Sequence, residues 1–261
     1  MLEGLYAPNT PTLIGDLGVR HPTTEQALRQ TGEDWLAGGV DAVIVISPHF
    51  VTRGGFGLVA QAPLQQLYDF SGFPEEFYRV GYRPQGAKDV AVQLAALCAA
   101  ENIPAEVTEQ WGLDHGAWSP LLHVFPQASV PVLPISICPE LGAGAHESLG
   151  RMIRKLSRSR SLIVMATGSI IHRLDLWAPD ARSLPDSARS YLAAARESFG
   201  GGQWQSLWNA PDAWRRAAAP EGGELPLRVL AGAYPSFHAQ ILAEEEEFGA
   251  VSLTTVRFLD A

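Results

Sequence analysis

Residues 42–50 read Ala42-Val43-Ile44-Val45-Ile46-Ser47-Pro48-His49-Phe50. Five apolar side chains follow one another with no polar alternation, and four of them are β-branched. That is the signature of a strand covered on both faces, as in a layered α/β sheet. Ser47-Pro48 ends the run and leaves His49 just past it. Residues 162–166, Leu-Ile-Val-Met-Ala, repeat the pattern, and Thr167-Gly168-Ser169 leads on to His172. Open α/β sheets bind ligands at the carboxyl ends of their strands. One histidine there is as readily structural as functional; two at equivalent positions mark a site.

Working outward, short apolar runs alternate with amphipathic stretches. Strands are expected at Leu2–Ala7, Ala42–Ser47, Phe56–Ala60, Ala105–Thr108, Val130–Ser136, Leu162–Ala166 and Ala250–Phe258. Helices are expected at Thr24–Ala37, Ala87–Ala100, Ala117–Val124, Ala145–Ser157, Asp186–Ser198, Asp212–Ala218 and Leu225–Ala231. Gly200–Gly202 reads as a helix end, and Glu244–Glu247 as an exposed helix or turn face. The fold class is α/β: one domain over residues 1–261, a central mostly parallel or mixed β-sheet, and helices on both faces.

A net charge of −9 with no large basic cluster excludes a nucleic-acid partner, which needs Lys and Arg to neutralise phosphates. The run Arg151, Arg154, Lys155, Arg158, Arg160 reads as a solvated helix face. Cys98 and Cys138 lack a CxxC neighbour and read as buried thiols suited to a reducing compartment. No apolar run approaches the length of a membrane span, so the expected location is cytoplasmic, with no membrane partner. A GxSxG elbow, a P-loop and a GxGxxG turn are all absent, which weakens hydrolase, NTPase and dinucleotide readings.

His115 lies in Trp111-Gly112-Leu113-Asp114-His115-Gly116-Ala117-Trp118, where glycines mark a tight loop and a close backbone approach. Imidazole suits both first-row metals and proton transfer near neutral pH. The positions 49, 115 and 172 fit no compact metal motif, so a metal site has to be assembled from distant segments. Tyr68-Asp69-Phe70-Ser71-Gly72-Phe73-Pro74-Glu75-Glu76-Phe77-Tyr78 is crowded with aromatics. It is either a loop folded onto the core or an aromatic wall (Tyr68, Phe70, Phe73) beside a pocket for a flat substrate. His21, His123 and His146 read as surface or helix residues.

Four of these segments together carry a resemblance. Ser47–Phe50, Tyr68–Tyr78, Gly112–Trp118 and Gly168-Ser169-Ile170-Ile171-His172-Arg173-Leu174 stand in the order found in class III extradiol ring-cleavage dioxygenases. They look most like the DOPA-type branch, which is similar to the catalytic β-subunit of protocatechuate dioxygenase, and the likeness spans about residues 1–235. It implies a non-haem Fe(II) enzyme, with Zn(II) the alternative metal. It implies a catechol-type aromatic diol and O2 as substrates, and a homodimer as the common assembly. By position, His49 resembles a metal ligand, His172 the acid/base histidine, and His115 a histidine contacting substrate or dioxygen. Ser169 stands where many relatives have Asn.

Two departures matter. The family's first metal histidine is replaced here by Asn9, a poorer ligand for a borderline metal; Asp16 and His21 lie close enough in sequence to substitute. The third ligand comes from just before a late helix. Glu224 is the first choice for it, Glu221 the second and His238 an outside candidate. A protein that kept this fold but lost catalysis and became a binding module is therefore one competing expectation. A zinc-dependent hydrolase using the same pocket is another.

Overall fold

The computed structural model describes residues 1–178 and 183–261. Its strands are β1 (Leu2–Ala7), β2 (Ala42–Val51), β3 (Phe56–Val59), β4 (Ala105–Thr108), β5 (Val132–Ile137), β6 (Leu162–Thr167), β7 (Phe237–Glu247) and β8 (Val251–Asp260). Its α-helices are α1 (Pro22–Gly38), α2 (Lys88–Ala100), α3 (His115–Val124), α4 (Gly142–Leu156), α5 (Asp186–Gly201), α6 (Gln205–Trp208), α7 (Asp212–Ala218) and α8 (Leu225–Ala233). All eight strands form one sheet in the order β4-β3-β5-β2-β6-β1-β8-β7. The pairs β5–β2, β2–β6 and β6–β1 are parallel, whereas β3–β5, β1–β8 and β8–β7 are antiparallel. The sheet is therefore mixed, with a parallel centre.

The apolar runs at the centre divide by the period-2 rule of a strand. Ala42, Ile44 and Ile46 of β2, with Leu162, Val164 and Ala166 of β6, enter one core beneath α2, α4, α5 and α8. Val43, Val45, Ile163 and Met165 enter the other, against Leu28 and Trp35 of α1 and Leu121 and Val124 of α3. Helices thus cover both faces, as expected for strands without alternation. Helices α4 and α8 touch backbone to backbone: a Cβ on Gly150 would lie 2.0 Å from the Val229 carbonyl oxygen. That contact seats α8 under the sheet and brings the loop before it to the carboxyl ends of the parallel strands.

Two expectations need correction. Strand β2 does not stop at Ser47 but runs to Val51, and its register with β5 shifts between Ile46 and Val51. His49 therefore sits within an irregular strand end. Such irregularities re-aim side chains, and this one turns His49 toward the cavity at the sheet's carboxyl edge.

Glu244–Glu247 is neither helix nor turn but the end of edge strand β7. Each of its carboxylates has a partner: Glu244 pairs with Arg196 at 2.7 Å, Glu246 with Arg189 at 3.0 Å, and Glu245 accepts from the Thr24 amide at 2.9 Å. Glu247 is buried, accepting from Thr12 Oγ1 at 2.7 Å and from Thr10 Oγ1 at 3.2 Å, with His21 Nε2 at 3.1 Å. A like-charge run that reads as solvated here has two members paired with arginines and two held by neutral donors or by His21. Both cysteines are buried and free. Among the described residues no helix is long and apolar enough to cross a membrane.

Candidate active site

The site is assembled from loops at the carboxyl edge of the parallel strands. Asn9 follows β1, and its carbonyl accepts from Ser119 Oγ on α3 at 3.1 Å. Its side-chain Nδ2 donates to Glu221 Oε1 at 3.1 Å and lies 3.4 Å from His49 Nε2. His49 Nε2 is itself 3.0 Å from the same Glu221 oxygen, and His172 Nε2 lies 4.0 Å from it. Glu221 is held by its backbone amide, which donates to the Ser169 carbonyl at 3.0 Å. Its second carboxylate oxygen, Oε2, is buried and has no hydrogen-bond partner.

A second layer backs the first. Asp69 stands between two imidazoles, with Oδ2 3.6 Å from His49 Nδ1 and Oδ1 2.9 Å from His115 Nδ1. Oδ1 also accepts the His115 backbone amide at 2.7 Å. The His49 and His115 rings lie 4.1 Å apart. Asp114 caps the N-terminus of α3 through the Ala117 amide, and accepts from Ser47 Oγ at 2.6 Å and Trp111 Nε1 at 3.1 Å. One buried carboxylate thus ties the strand end to the helix start.

The ionisation pattern follows from these contacts. Burial opposes protonation of His49, but the hydrogen bond and charge of Glu221, with Asp114 and Asp69 adding, outweigh it and raise its pKa. Burial would raise Glu221, yet His49, the charge on His172 and the Asn9 amide hold it below the ordinary glutamate value. Asp69 is likewise lowered, burial being overcome by His115 and then His49. Asp114 moves the other way, raised by burial and by the charge on Asp69 against the Ser47 and Trp111 bonds. Opposed shifts in neighbouring groups are common at functional sites.

Gly116 makes this packing possible. A Cβ there would lie 2.5 Å from Ser47 Oγ and 2.6 Å from His49 Cδ2. Gly116→Ala is expected to displace His49 and lower kcat/KM by about 100-fold, the order associated with a 1 Å misplacement. Thermal unfolding and steady-state kinetics on the same preparation separate this from simple loss of fold.

These residues open onto a cavity of about 630 Å³, lined by Asn9, His49, His115, His172 and Glu221. Phe70, Phe73 and Ser169 line it too. Tyr68 does not. It is exposed, donates to the Val80 carbonyl at 2.7 Å and packs against Trp118 from outside.

Glu224, expected as the carboxylate ligand, also lies elsewhere. Its Oε1 accepts from Tyr191 and, at 2.7 Å, from Arg215 Nε. Gly222, Gly223 and Glu224 all have positive φ (62°, 63° and 70°), and that left-handed turn sends Glu224 away from the cavity while Glu221 faces it. His238 is exposed on edge strand β7, opposite Leu259 of β8. Asp16 is exposed and caps the Gly18 amide.

Of the other histidines, His21 and His146 are buried, contrary to a surface reading for His21, and His123 binds the Leu13 carbonyl at 2.6 Å; none lines the cavity. Asp69, Trp177, Phe248 and Glu247 are functional candidates that the sequence did not single out.

Donor atoms for a divalent cation are grouped here in two overlapping sets. His49, Asp69 and His115 bring three donors within 4.8 Å of one another. His49 and Glu221, with the Asn9 side chain beside them, form the other. Imidazole with carboxylate is the donor chemistry of non-haem iron and of catalytic zinc. The partnerless Glu221 oxygen fits such an ion, since a buried carboxylate oxygen without a donor is otherwise costly.

An α/β sheet with an imidazole–carboxylate cluster over its parallel strand ends is the frame of a metal-dependent enzyme. Residues 11–258 match the family described as the catalytic LigB subunit of aromatic ring-opening dioxygenase. The chain belongs to that family, whose enzymes are metal-dependent extradiol ring-cleaving dioxygenases.

It is 30% identical over 233 residues to the 4,5-DOPA dioxygenase extradiol of Escherichia coli K12, covering 83% of this chain and 81% of the relative. The enzyme of the same name from Beta vulgaris is 26% identical over 223 residues, covering 83% and 82%. A solved structure of an uncharacterized Escherichia coli K12 protein shares the fold, with TM-score 0.77 and 22% identity over 98% of this chain and 99% of that one.

Proposed function

We propose that this enzyme opens a catechol-type ring beside its paired hydroxyls, using O2 and an Fe(II) ion held by His49, Glu221 and the side-chain oxygen of Asn9. The observation that carries the reading is Glu221, a buried carboxylate 3.0 Å from His49 Nε2 whose other oxygen has no partner. The Asn9 amide meets both groups through Nδ2; turned over, it presents its oxygen to the same point. When bound, an iron ion would supply open coordination positions for a catecholate and dioxygen. The relatives named 4,5-DOPA dioxygenase extradiol support a ring-substituted catechol as the substrate class.

The chain's own residues supply the rest. Phe70 stands edge-on to His115, with ring centroids 5.4 Å apart, and with Phe73 offers a flat apolar wall for an aromatic ring. His172, half-buried and 4.0 Å from Glu221, is placed to take the proton of a ring hydroxyl and return it as the ring opens. His115, held beside Asp69 at the start of α3, lines the same cavity.

The test is anaerobic loading with Fe(II) followed by oxygen consumption over a panel of 4-substituted catechols. Stoichiometric uptake with a yellow ring-opened product is expected. No uptake with any catechol from protein that has bound iron would sink the proposal.

Asn9 gives a sharper expectation about affinity. An amide oxygen is a weaker donor than imidazole to a borderline metal. Asn9→His is therefore expected to tighten Zn(II) or Fe(II) binding by about 10-fold or more, read by competition with a chelating dye. Unchanged affinity would remove Asn9 from the metal's surroundings.

A further inference from the structure

The cavity has two chemically different halves. The inner one holds the histidines, Asn9 and Glu221. The outer one is bounded by Trp177, Phe248, Leu174 and Val251 together with Glu247 and Thr10. Among the described residues no lysine or arginine lines the cavity, and the two carboxylates that do are Glu221 and Glu247. Resting on the ring-cleaving function proposed above, we infer that the outer half receives a protonated amine. The favoured substrate is then a catechol bearing an aminoalkyl substituent and no carboxylate.

Three observations carry this. Glu247 is buried yet lines the cavity, and its two oxygens are unequally occupied. Oε2 takes Thr12 Oγ1 at 2.7 Å and His21 Nε2 at 3.1 Å, whereas Oε1 takes only Thr10 Oγ1, at 3.2 Å. A carboxylate oxygen has two lone-pair directions, so Oε1 retains capacity for a second donor.

The next residue, Phe248, packs its ring 4.8 Å from that of Trp177, and Trp177 is 46% exposed at the cavity mouth. An aromatic pair beside a carboxylate is the recognition chemistry of an alkylammonium, through its charge and through the ring faces. The same wall opposes a carboxylate-bearing substituent, because a buried anion beside Glu247 would find no Lys or Arg among the described residues lining the cavity.

The geometry also holds the two halves in fixed relation. Thr10 adjoins Asn9 in sequence, and Val251 forms an isolated bridge with His172. The segments that carry Thr10 and Val251 are thus continuous with those that place Asn9 and His172 at the inner site.

The test is equilibrium binding to the metal-loaded protein under anaerobic conditions, by calorimetry, with three probes of similar size. These are 4-(2-aminoethyl)catechol, 4-propylcatechol and 3,4-dihydroxyphenylacetate. The amine is expected to bind at least 10-fold tighter than the neutral probe and 100-fold tighter than the acid. Glu247→Gln, and independently the exposed Trp177→Ala, should each reduce the amine's advantage over the neutral probe by at least 5-fold; a properly folded Trp177→Ala keeps the test open should the buried variant fail to fold. If the acid binds as tightly as the amine, or if both variants retain the full amine preference, the inference is wrong while the ring-cleaving function stands. If none of the three catechols binds, the proposed function fails and this inference with it.

Discussion

Glu221→Ala is expected to weaken divalent-metal binding at least 100-fold and to reduce kcat/KM by at least 1000-fold, in a protein that still folds but unfolds at a lower temperature. Even groups that only support a metal ligand typically cost about 10–100-fold in affinity when removed, and a direct carboxylate donor costs more. The side chain is tied to His49, Asn9 and, more distantly, His172. Removing it also relieves the fold of a buried oxygen that has no donor. Stability therefore falls by less than the lost bonds alone would give, because the lost desolvation penalty offsets part of them.

Glu224→Ala should behave in the opposite way. That carboxylate accepts from Tyr191 and Arg215 and lies 3.8 Å from Arg228. Its removal leaves a buried phenol and a half-buried guanidinium without their acceptor, at a cost of about 2–4 kcal/mol. Metal affinity should stay within about 3-fold, since Glu224 does not line the cavity. Chelator competition and chemical denaturation on the two variants form a crossed pair. If Glu224→Ala loses the metal and Glu221→Ala keeps it, the assignment of the two carboxylates is reversed.

That pair marks where the sequence stops being legible. Glu221 and Glu224 lie three residues apart in Glu221-Gly222-Gly223-Glu224, and distance along the chain favours the one nearer α8. Three successive residues with positive φ decide otherwise, and only two of them are glycines that announce it. The strands β2 and β6 could be read because both faces are buried, so composition alone carries the signal.

Strand β7 could not. As an edge strand it pairs on one side only, and its glutamates are stabilised by Arg189, Arg196 and the Thr10–Thr12–His21 cluster, all remote in sequence. Asp69 lies in the aromatic-rich stretch Tyr68–Tyr78, whose aromatics and not its carboxylate stand out. Its role between His49 and His115 depends on a loop packing against α3, which no local pattern encodes.

His172→Gln is expected to lower kcat by about 100- to 10,000-fold, the usual range for removing a general acid–base group, while metal affinity stays within about 3-fold. The backbone at this position is pinned from both sides. The His172 amide donates to the Ala218 carbonyl at 2.9 Å, and the next amide, of Arg173, to the Ala250 carbonyl at 2.8 Å. Glutamine should thus occupy the same place and keep a hydrogen-bonding tip, but it cannot carry a proton at neutral pH. The ring it replaces stands 4.0 Å from Glu221 Oε1, so no direct hydrogen bond to Glu221 is lost; a ligand role for His172 would show separately, as lost metal.

Substrate acidity supplies the second reading. With 4-nitrocatechol, whose hydroxyl ionises without help, the loss should shrink by 10-fold or more, because the missing base matters less when the proton is already acidic. A loss equal for acidic and ordinary catechols would assign His172 to positioning, through the bridge it makes to Val251, and leave the proton to His115.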